Sequence, residues 1–135
     1  MAFPQFEYKI ILTEEAISVD TVKGTLSFDS SCGAVISFEG VVRREKKIEG
    51  IFYECYTPMA EEELKRILFE TREKFPVEKI GVAHRLNNVA AGETSLVLVV
   101  ASTHRREAFA ASEYFIEELK KRVPIWKKEL YDDQK

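Results

Sequence analysis

"VEKIGVAHRLNNVAAGETSLVLVVAST", residues 77–103, sets two apolar runs on either side of a stretch of turn chemistry. Residues 77–86 and 93–103 read as strands rich in Val, Ile and Leu, while Asn87, Asn88 and Gly92 between them accept turn backbone at little cost. The pattern predicts a hairpin. Upstream, residues 8–13 read as a strand and 18–28 as a short helix weakened by Gly24. "GAVISFEGVVR" (33–43) is β-rich, with Gly40 marking a bulge or a close backbone approach, and "GIFYECYT" (50–57) is its expected antiparallel partner.

Two long helices complete the pattern. Thr57 is placed to cap the first, Pro58 suits its first position, and Glu61, Glu62 and Glu63 complement its positive end. Ala60, Leu64, Ile67, Leu68 and Phe75 then form one stripe before Pro76 ends it. The second helix runs from His104 to Arg122, with Ala108, Phe109, Ser112, Phe115, Ile116 and Leu119 facing inward and Pro124 stopping it. The expected fold class is α+β: a mostly antiparallel sheet, two long amphipathic helices and a short N-terminal helix, in a single domain over residues 1–135. The long connections through the helices permit a locally parallel strand pair.

Composition narrows function by exclusion. A chain of 135 residues, 45% hydrophobic, suits one ordinary core. A formal charge of −3 argues against a general nucleic-acid binder, so any basic site must be local. No apolar run approaches the roughly 20 residues of a membrane span, and "MAFPQFEYKI" lacks the pattern of a charged, apolar leader, so a cytoplasmic protein is expected. Cys32 and Cys55 lie outside any CxxC pattern and His84 and His104 are the only histidines, so neither a metal site nor a bound cofactor is expected. The cysteines read as small buried hydrophobes in a reducing compartment.

Positive charge is instead concentrated in two places. In "STHRREAF" (102–109), with Thr103 as N-cap, His104, Arg105 and Arg106 fall in the first helical turn, where the macrodipole disfavours cations by roughly 0.3–1 kcal/mol each. Anion binding at the exposed N–H groups explains them; the competing reading is that they curl away to pair with surface acids such as Glu107. In "LKKRVPIWKKE" (119–129), Lys121 has Glu117 four residues back, whereas Lys120 has Ile116 there and sits at the edge of the apolar face. Lys120 reads either as a snorkelling cover of the core edge or as a lysine primed for proton transfer. Beyond Pro124 an extended chain alternates, so spacing does not choose between Lys127 and Lys128, but Lys120 and Lys127 are able to converge on one pocket. Trp126 reads as a packed anchor of the bend. Arg43 and Arg44 end a strand, and His84 and Arg85 read as hairpin-surface residues. No GxSxG, P-loop or HExxH pattern is present, which leaves lysine, arginine and histidine to act on an anionic, phosphorylated substrate.

Taken in order, "GAVISFEGVVR", "YECYTPMAEEEL", "VAHRL" with "AGE", "STHRREAF" and "LKKRVPIWKKE" resemble the large, catalytic subunit of molybdopterin synthase. The resemblance spans residues 33–129. It implies an α+β homodimer within a heterotetramer, paired with a small ubiquitin-like sulfur carrier whose C-terminal Gly-Gly thiocarboxylate enters the large subunit's pocket. The implied reaction converts cyclic pyranopterin monophosphate to molybdopterin by adding two sulfurs from that partner, so neither cysteine need be catalytic. By motif, Lys120 and Lys127 match the family's two essential lysines. Arg43, His104 and Arg105 would hold the phosphate and pterin, and Phe38 would line the pocket. The histidine–arginine pair would come from the neighbouring subunit. Departures are "RREKK", where the family often has an aspartate and asparagine, Asn87 where a glycine is common, and only six residues after Glu129. The rival reading is a non-catalytic dimeric domain that binds a phosphorylated metabolite or a carboxylate-ended protein tail.

Overall fold

The computed structural model describes residues 6–45 and 47–131, so part of the N-terminal stretch, Lys46 of "RREKK" and most of the tail after Glu129 lie outside the described residues. In chain order the elements are β1 (Glu7–Thr13), α1 (Val19–Lys23), β2 (Ala34–Val41), β3 (Ile48–Cys55), α2 (Thr57–Lys74), β4 (Val77–Arg85), β5 (Asn87–Ala90), β6 (Thr94–Ser102), α3 (Arg105–Arg122) and β7 (Ile125–Tyr131). The class is α+β, as expected, with the strands divided between two sheets. One has the order β1-β4-β6-β2 and the other β5-β3-β7.

β4 and β6 pair antiparallel through Val82↔Leu98 and His84↔Leu96. Nearly every residue of both is buried, because the sheet is covered on both faces and alternation gives way to continuous apolar sequence. Ile80, Val82, Leu96, Leu98 and Val100 meet Leu64, Ile67 and Leu68 of α2 and Phe115 and Leu119 of α3. Ala83, Val97 and Val99 meet Ile17, Val22 and Leu26 around α1. α1 lies so close to β4 that a Cβ on Gly81 would stand 2.7 Å from Val22 Cγ1. Burying one side chain the size of Phe115 stabilises the fold by about 1.5–3 kcal/mol. The permitted parallel pair is real: β1 runs alongside β4, with Glu7 opposite Lys79 and their side chains joined at 3.2 Å.

Three expectations change. β2 pairs with β6, not β3, since β6 offers Ala34, Ile36 and Phe38 a strand buried on both faces. β3 instead joins the second sheet, where Ile51 and Tyr53 pack with Val42, Val89 and Ile125. The "NNVAAG" segment is a strand as well as a turn: Asn87 takes φ 64, the left-handed region where Asn is tolerated, and Asn87–Ala90 then pairs with β3. Trp126 does not anchor the bend; it lies on the outer face of the second sheet and is 57% exposed.

The helices keep their predicted stripes with shifted ends. α2 is capped by Tyr56 with no side-chain bond, and its first turn holds no acid, because Thr57 and Pro58 are already helical and Glu61 begins the next turn. His104, not Thr103, is the N-cap of α3. Phe109 lies about 100° around the helix from Ala108 and is exposed, leaving Ala108, Ala111, Ser112, Phe115 and Leu119 as the buried stripe. Lys121 pairs with Glu118 at 3.5 Å and not with Glu117.

Arg122 fastens α3 to α2. Its Nη1 and Nη2 donate to both oxygens of Glu70 at 2.6 and 2.9 Å, Nε donates to Glu63 at 2.7 Å, and Nη1 reaches Glu118 at 3.2 Å. The bidentate arrangement suits a guanidinium and not an ammonium. Arg122 also holds the Glu70 carboxyl below its ordinary value. Arg122→Ala should therefore lower the unfolding free energy by about 1–3 kcal/mol in urea titrations. Because Glu70 titrates lower when folded than unfolded, its contribution is present above its ordinary value near 4.3 and is lost as pH falls through the lowered one. The gap between wild type and Arg122→Ala should accordingly close in acid; a gap unchanged at pH 3 would contradict the assignment.

Candidate active site

α3 is a rod with a basic group at each end. At its start, the N-cap His104 and the first-turn Arg105 and Arg106 are exposed and line a depression of about 1000 Å3 together with Gly33 and Phe109. Gly33 is needed there, because a Cβ would collide with the Thr103 carbonyl oxygen where β2 begins beside the end of β6. His104 Nδ1 approaches Glu107 Oε1 at 3.9 Å, so one acid does lean toward the cluster, while Arg105 and Arg106 have no ion-pair partner among the described residues. First-turn N–H groups with no side-chain cap and two guanidinium groups are chemistry suited to an anion, with Glu113 the carboxylate that lines the same depression.

The other end is assembled from more elements. Lys120 is exposed in the last turn of α3, the helix ends at Val123, and Pro124 turns the chain into β7. In β7 Lys127 pairs with Tyr53 on the side of the sheet that carries Ile125, whereas Trp126 and Lys128 face the opposite side. Tyr53 packs edge-on against His84, with ring centroids 4.8 Å apart, and His84 lies opposite Leu96, which also pairs with Gly40 of β2. Phe38 is half-buried on the helix-covered face of β2, its Cε2 3.6 Å from where a Gly40 Cβ would stand. Val42 packs with Tyr53 and Ile125, and Arg43 follows it, largely exposed and paired with Glu45. The return of α3 along the sheet carries Lys120 toward the end where Val41 pairs with Thr94 and Arg43 follows, whereas Phe38 pairs with Leu98 at mid-strand and Lys127 belongs to the second sheet. His104 and Arg105 do not join Lys120, since the 15 residues from Arg105 to Lys120 make about 22 Å of helix.

His84, expected on a hairpin surface, is instead buried, 6% exposed. The signal was present: His84 continues the alternation of Ile80 and Val82, whose side chains face the core. Its Nδ1 lies 2.8 Å from the Arg85 carbonyl oxygen, which only accepts, so Nδ1 carries the proton. Arg85 leaves the surface too, pairing with Glu93 at 3.1 Å.

The two cysteines are half-buried, not the fully buried hydrophobes expected: Cys55 is the strand partner of Ile125, two residues from the Tyr53–Lys127 pair, and Cys32 precedes Gly33 of the His104 depression. Burial pushes the Cys32 thiol up, reinforced by its 3.3 Å contact with Glu78, and burial likewise raises Cys55. Raised thiols are poor nucleophiles at neutral pH. Among the described residues, no three of His, Cys, Asp and Glu group as metal ligands, and no helix is long and apolar enough to cross a membrane.

A family model described as MoaE protein matches residues 12–122. The chain belongs to the MoaE protein family. It is 43% identical over 127 residues to the molybdopterin synthase catalytic subunit of Bos taurus, which covers 92% of this chain and 67% of the bovine one, so it spans about two thirds of that relative's length. The crystal structure of molybdopterin synthase from Staphylococcus aureus superposes with a TM-score of 0.81 at 36% identity, covering 98% of this chain and 96% of that one. A structure from Helicobacter pylori, a complex of subunits 1 and 2 of molybdopterin-converting factor, matches with a TM-score of 0.72 at 25% identity, covering 94% and 86%.

Both thiols of this MoaE protein should react with a disulfide reagent such as DTNB more slowly than free cysteine at pH 7.5, accelerating only as pH passes the ordinary thiol value near 8.5. A thiol that reacts faster than free cysteine would return the cysteines to the list of candidate nucleophiles.

Proposed function

We propose that this chain is the catalytic subunit of a molybdopterin synthase, a sulfurtransferase that converts cyclic pyranopterin monophosphate to molybdopterin with two sulfurs, one from each of two thiocarboxylated small ubiquitin-like subunits that leave as carboxylates. What supports the reading is membership of the MoaE family together with local positive charge at Lys120, Lys127 and Arg43 on a chain that is acidic overall. A carboxylate-ended or thiocarboxylate-ended tail and a phosphorylated pterin are both anions, and a local cationic site recruits both. Lys120 serves as the proton donor and charge stabiliser nearest the incoming tail, with Lys127 as the second essential lysine. Arg43 binds substrate and Phe38 lines the pocket. The raised cysteines leave sulfur supply to the partner, and as free thiols they suit the reducing cytoplasm in which this reading places the protein. Residues 1–135 act as one large-subunit-like domain.

His104 and Arg105 enter the same reaction only through a second copy. About 22 Å of helix separates them from Lys120, farther than one pterin reaches, so a homodimer in which one protomer's α3 N-terminus faces the other's lysines completes the site. With the small subunit on each protomer the assembly is a heterotetramer.

Reconstitution of the purified chain with thiocarboxylated small subunit and cyclic pyranopterin monophosphate should yield dithiolene product. Lys120→Ala should lower turnover by about 100-fold or more while the fold persists, and Lys121→Ala, whose side chain pairs with Glu118, should stay within about threefold of wild type. Equal losses in the two variants would refute the assignment of faces, and absence of product from wild type would sink the enzymatic reading in favour of a binding domain. Lys120→Ala and His104→Ala chains, each inactive alone, should regain activity when mixed as dimers, because one of the two composite sites is then intact. Failure to complement, with mixed dimers verified, would place both residues in one protomer's site.

A further inference from the structure

His84 is a buried titratable side chain that the proposed reaction has not yet used. β4 carries it to the junction of the two sheets, where the Tyr53 ring covers it from β3 and Lys127 is the strand partner of that same tyrosine on β7. Its neighbours across the larger sheet, Leu12 of β1 and Leu96 of β6, are apolar. The Arg85 side chain is committed to Glu93 and to the Glu14 carbonyl. With Nδ1–H donated to the Arg85 carbonyl, Nε2 holds a lone pair, and the described residues give it no hydrogen-bond partner. Every fully buried side-chain nitrogen or oxygen among those residues does have a partner, so Nε2 reaches the surface of its pocket.

We propose that His84 is a positioning residue for Lys127, its uncharged Nε2 serving as the acceptor to which the Lys127 ammonium turns when it leaves solvent for substrate. This rests on the role assigned to Lys127 in sulfur transfer. The surroundings fit it: one cation, one phenol ring and apolar strands, while of the carboxylates on this side Glu129, two residues from Lys127 along β7, accepts from the Tyr131 hydroxyl at 3.2 Å and Glu61 lies toward Cys55. Burial pushes the His84 ring below its ordinary value of about 6.5, and the nearby Lys127 charge pushes in the same direction. The ring is therefore neutral at neutral pH. Acidification protonates it, turns the acceptor into a donor, and sets two cations against each other.

Two measurements test the pair, one of them independent of the enzymatic reading. The chain has only two histidines, so the imidazole resonances of His84 and His104 are resolved in an NMR titration of the intact protein. Lys127→Ala should move the His84 titration to higher pH, and Lys128→Ala, altered on the opposite face of β7, should leave it in place. Equal shifts in the two variants, or none, would overturn the proposal whether or not sulfur transfer is observed. In the reconstituted reaction, His84→Phe keeps a ring against Tyr53 but removes the acceptor; it should lose about tenfold in kcat at pH 7.5 with KM within about twofold. His84→Gln, which retains an acceptor, should recover most of that loss and abolish the acid limb of the wild-type rate below about pH 6.5. Wild-type kcat in His84→Phe, or an acid limb that persists in His84→Gln, would show that the histidine only fills space. Should His84→Phe fail to fold, His84→Gln and the titration decide.

Discussion

The antiparallel pair of β4 and β6 has to be buried on both faces, and the remaining elements are arranged by that requirement. Val97, Leu98, Val99 and Val100 alternate between two cores and are all under 2% exposed. One helix layer cannot shelter such a strand. α2 and α3 cover one side and α1 with the loop around Ile17 covers the other, while β1 and β2 close the two flanks. β3 is left without a place in that sheet. It founds the second sheet with β5 and β7, and at the junction between the two sheets Tyr53, the strand partner of Lys127, packs against His84.

Packing α3 on this pair also fixes how the chemistry is divided. A helix that buries Ala108, Ser112, Phe115 and Leu119 on one straight stripe keeps its two ends apart, and the charged groups at those ends stay apart with it. Arg122 makes the rod stiffer where it matters, since Glu63 and Glu70 belong to α2 and hold the last turn of α3 just before Pro124 redirects the chain. The direction in which β7 leaves, and with it the face on which Lys127 lies, follows from that fixed end.

What could be read in the sequence was local. Pro76 and Pro124 end their helices because proline cannot continue them, Asn87 takes a left-handed turn because its side chain tolerates one, and the helix stripes follow from a 3.6-residue period. Choices between partners were not local. β2 had two apolar strands available, and only the cover on both faces of β6 decides for it. Trp126 and Phe109 have the composition of core residues, yet each lies off the face that its element buries. Among the candidate site residues, helical spacing separates Lys120 from Lys121, but spacing does not separate Lys127 from Lys128; the family motif selects Lys127, and the pairing of β7 with β3 puts the two lysines on opposite faces. His84 lay in phase with Ile80 and Val82; its position at a strand end masked the alternation.

The two basic ends of α3 differ in what they cost the fold. Lys120, Lys121 and Arg122 stand in the last turn, where the macrodipole favours cations, and two of the three have carboxylate partners. Helix stability alone would account for positive charge there, so the case for chemistry at Lys120 rests on its lack of an ion-pair partner among the described residues and on what surrounds it. Arg105 and Arg106 stand in the first turn, opposed by the dipole and without a paired acid among those residues, with Glu107 leaning toward His104 instead. No folding benefit explains them. A pair of arginines kept at a position that destabilises its own helix is an argument for an anion that arrives from outside, and the length of α3 requires that this anion be shared with another protomer's lysines if one reaction uses both ends.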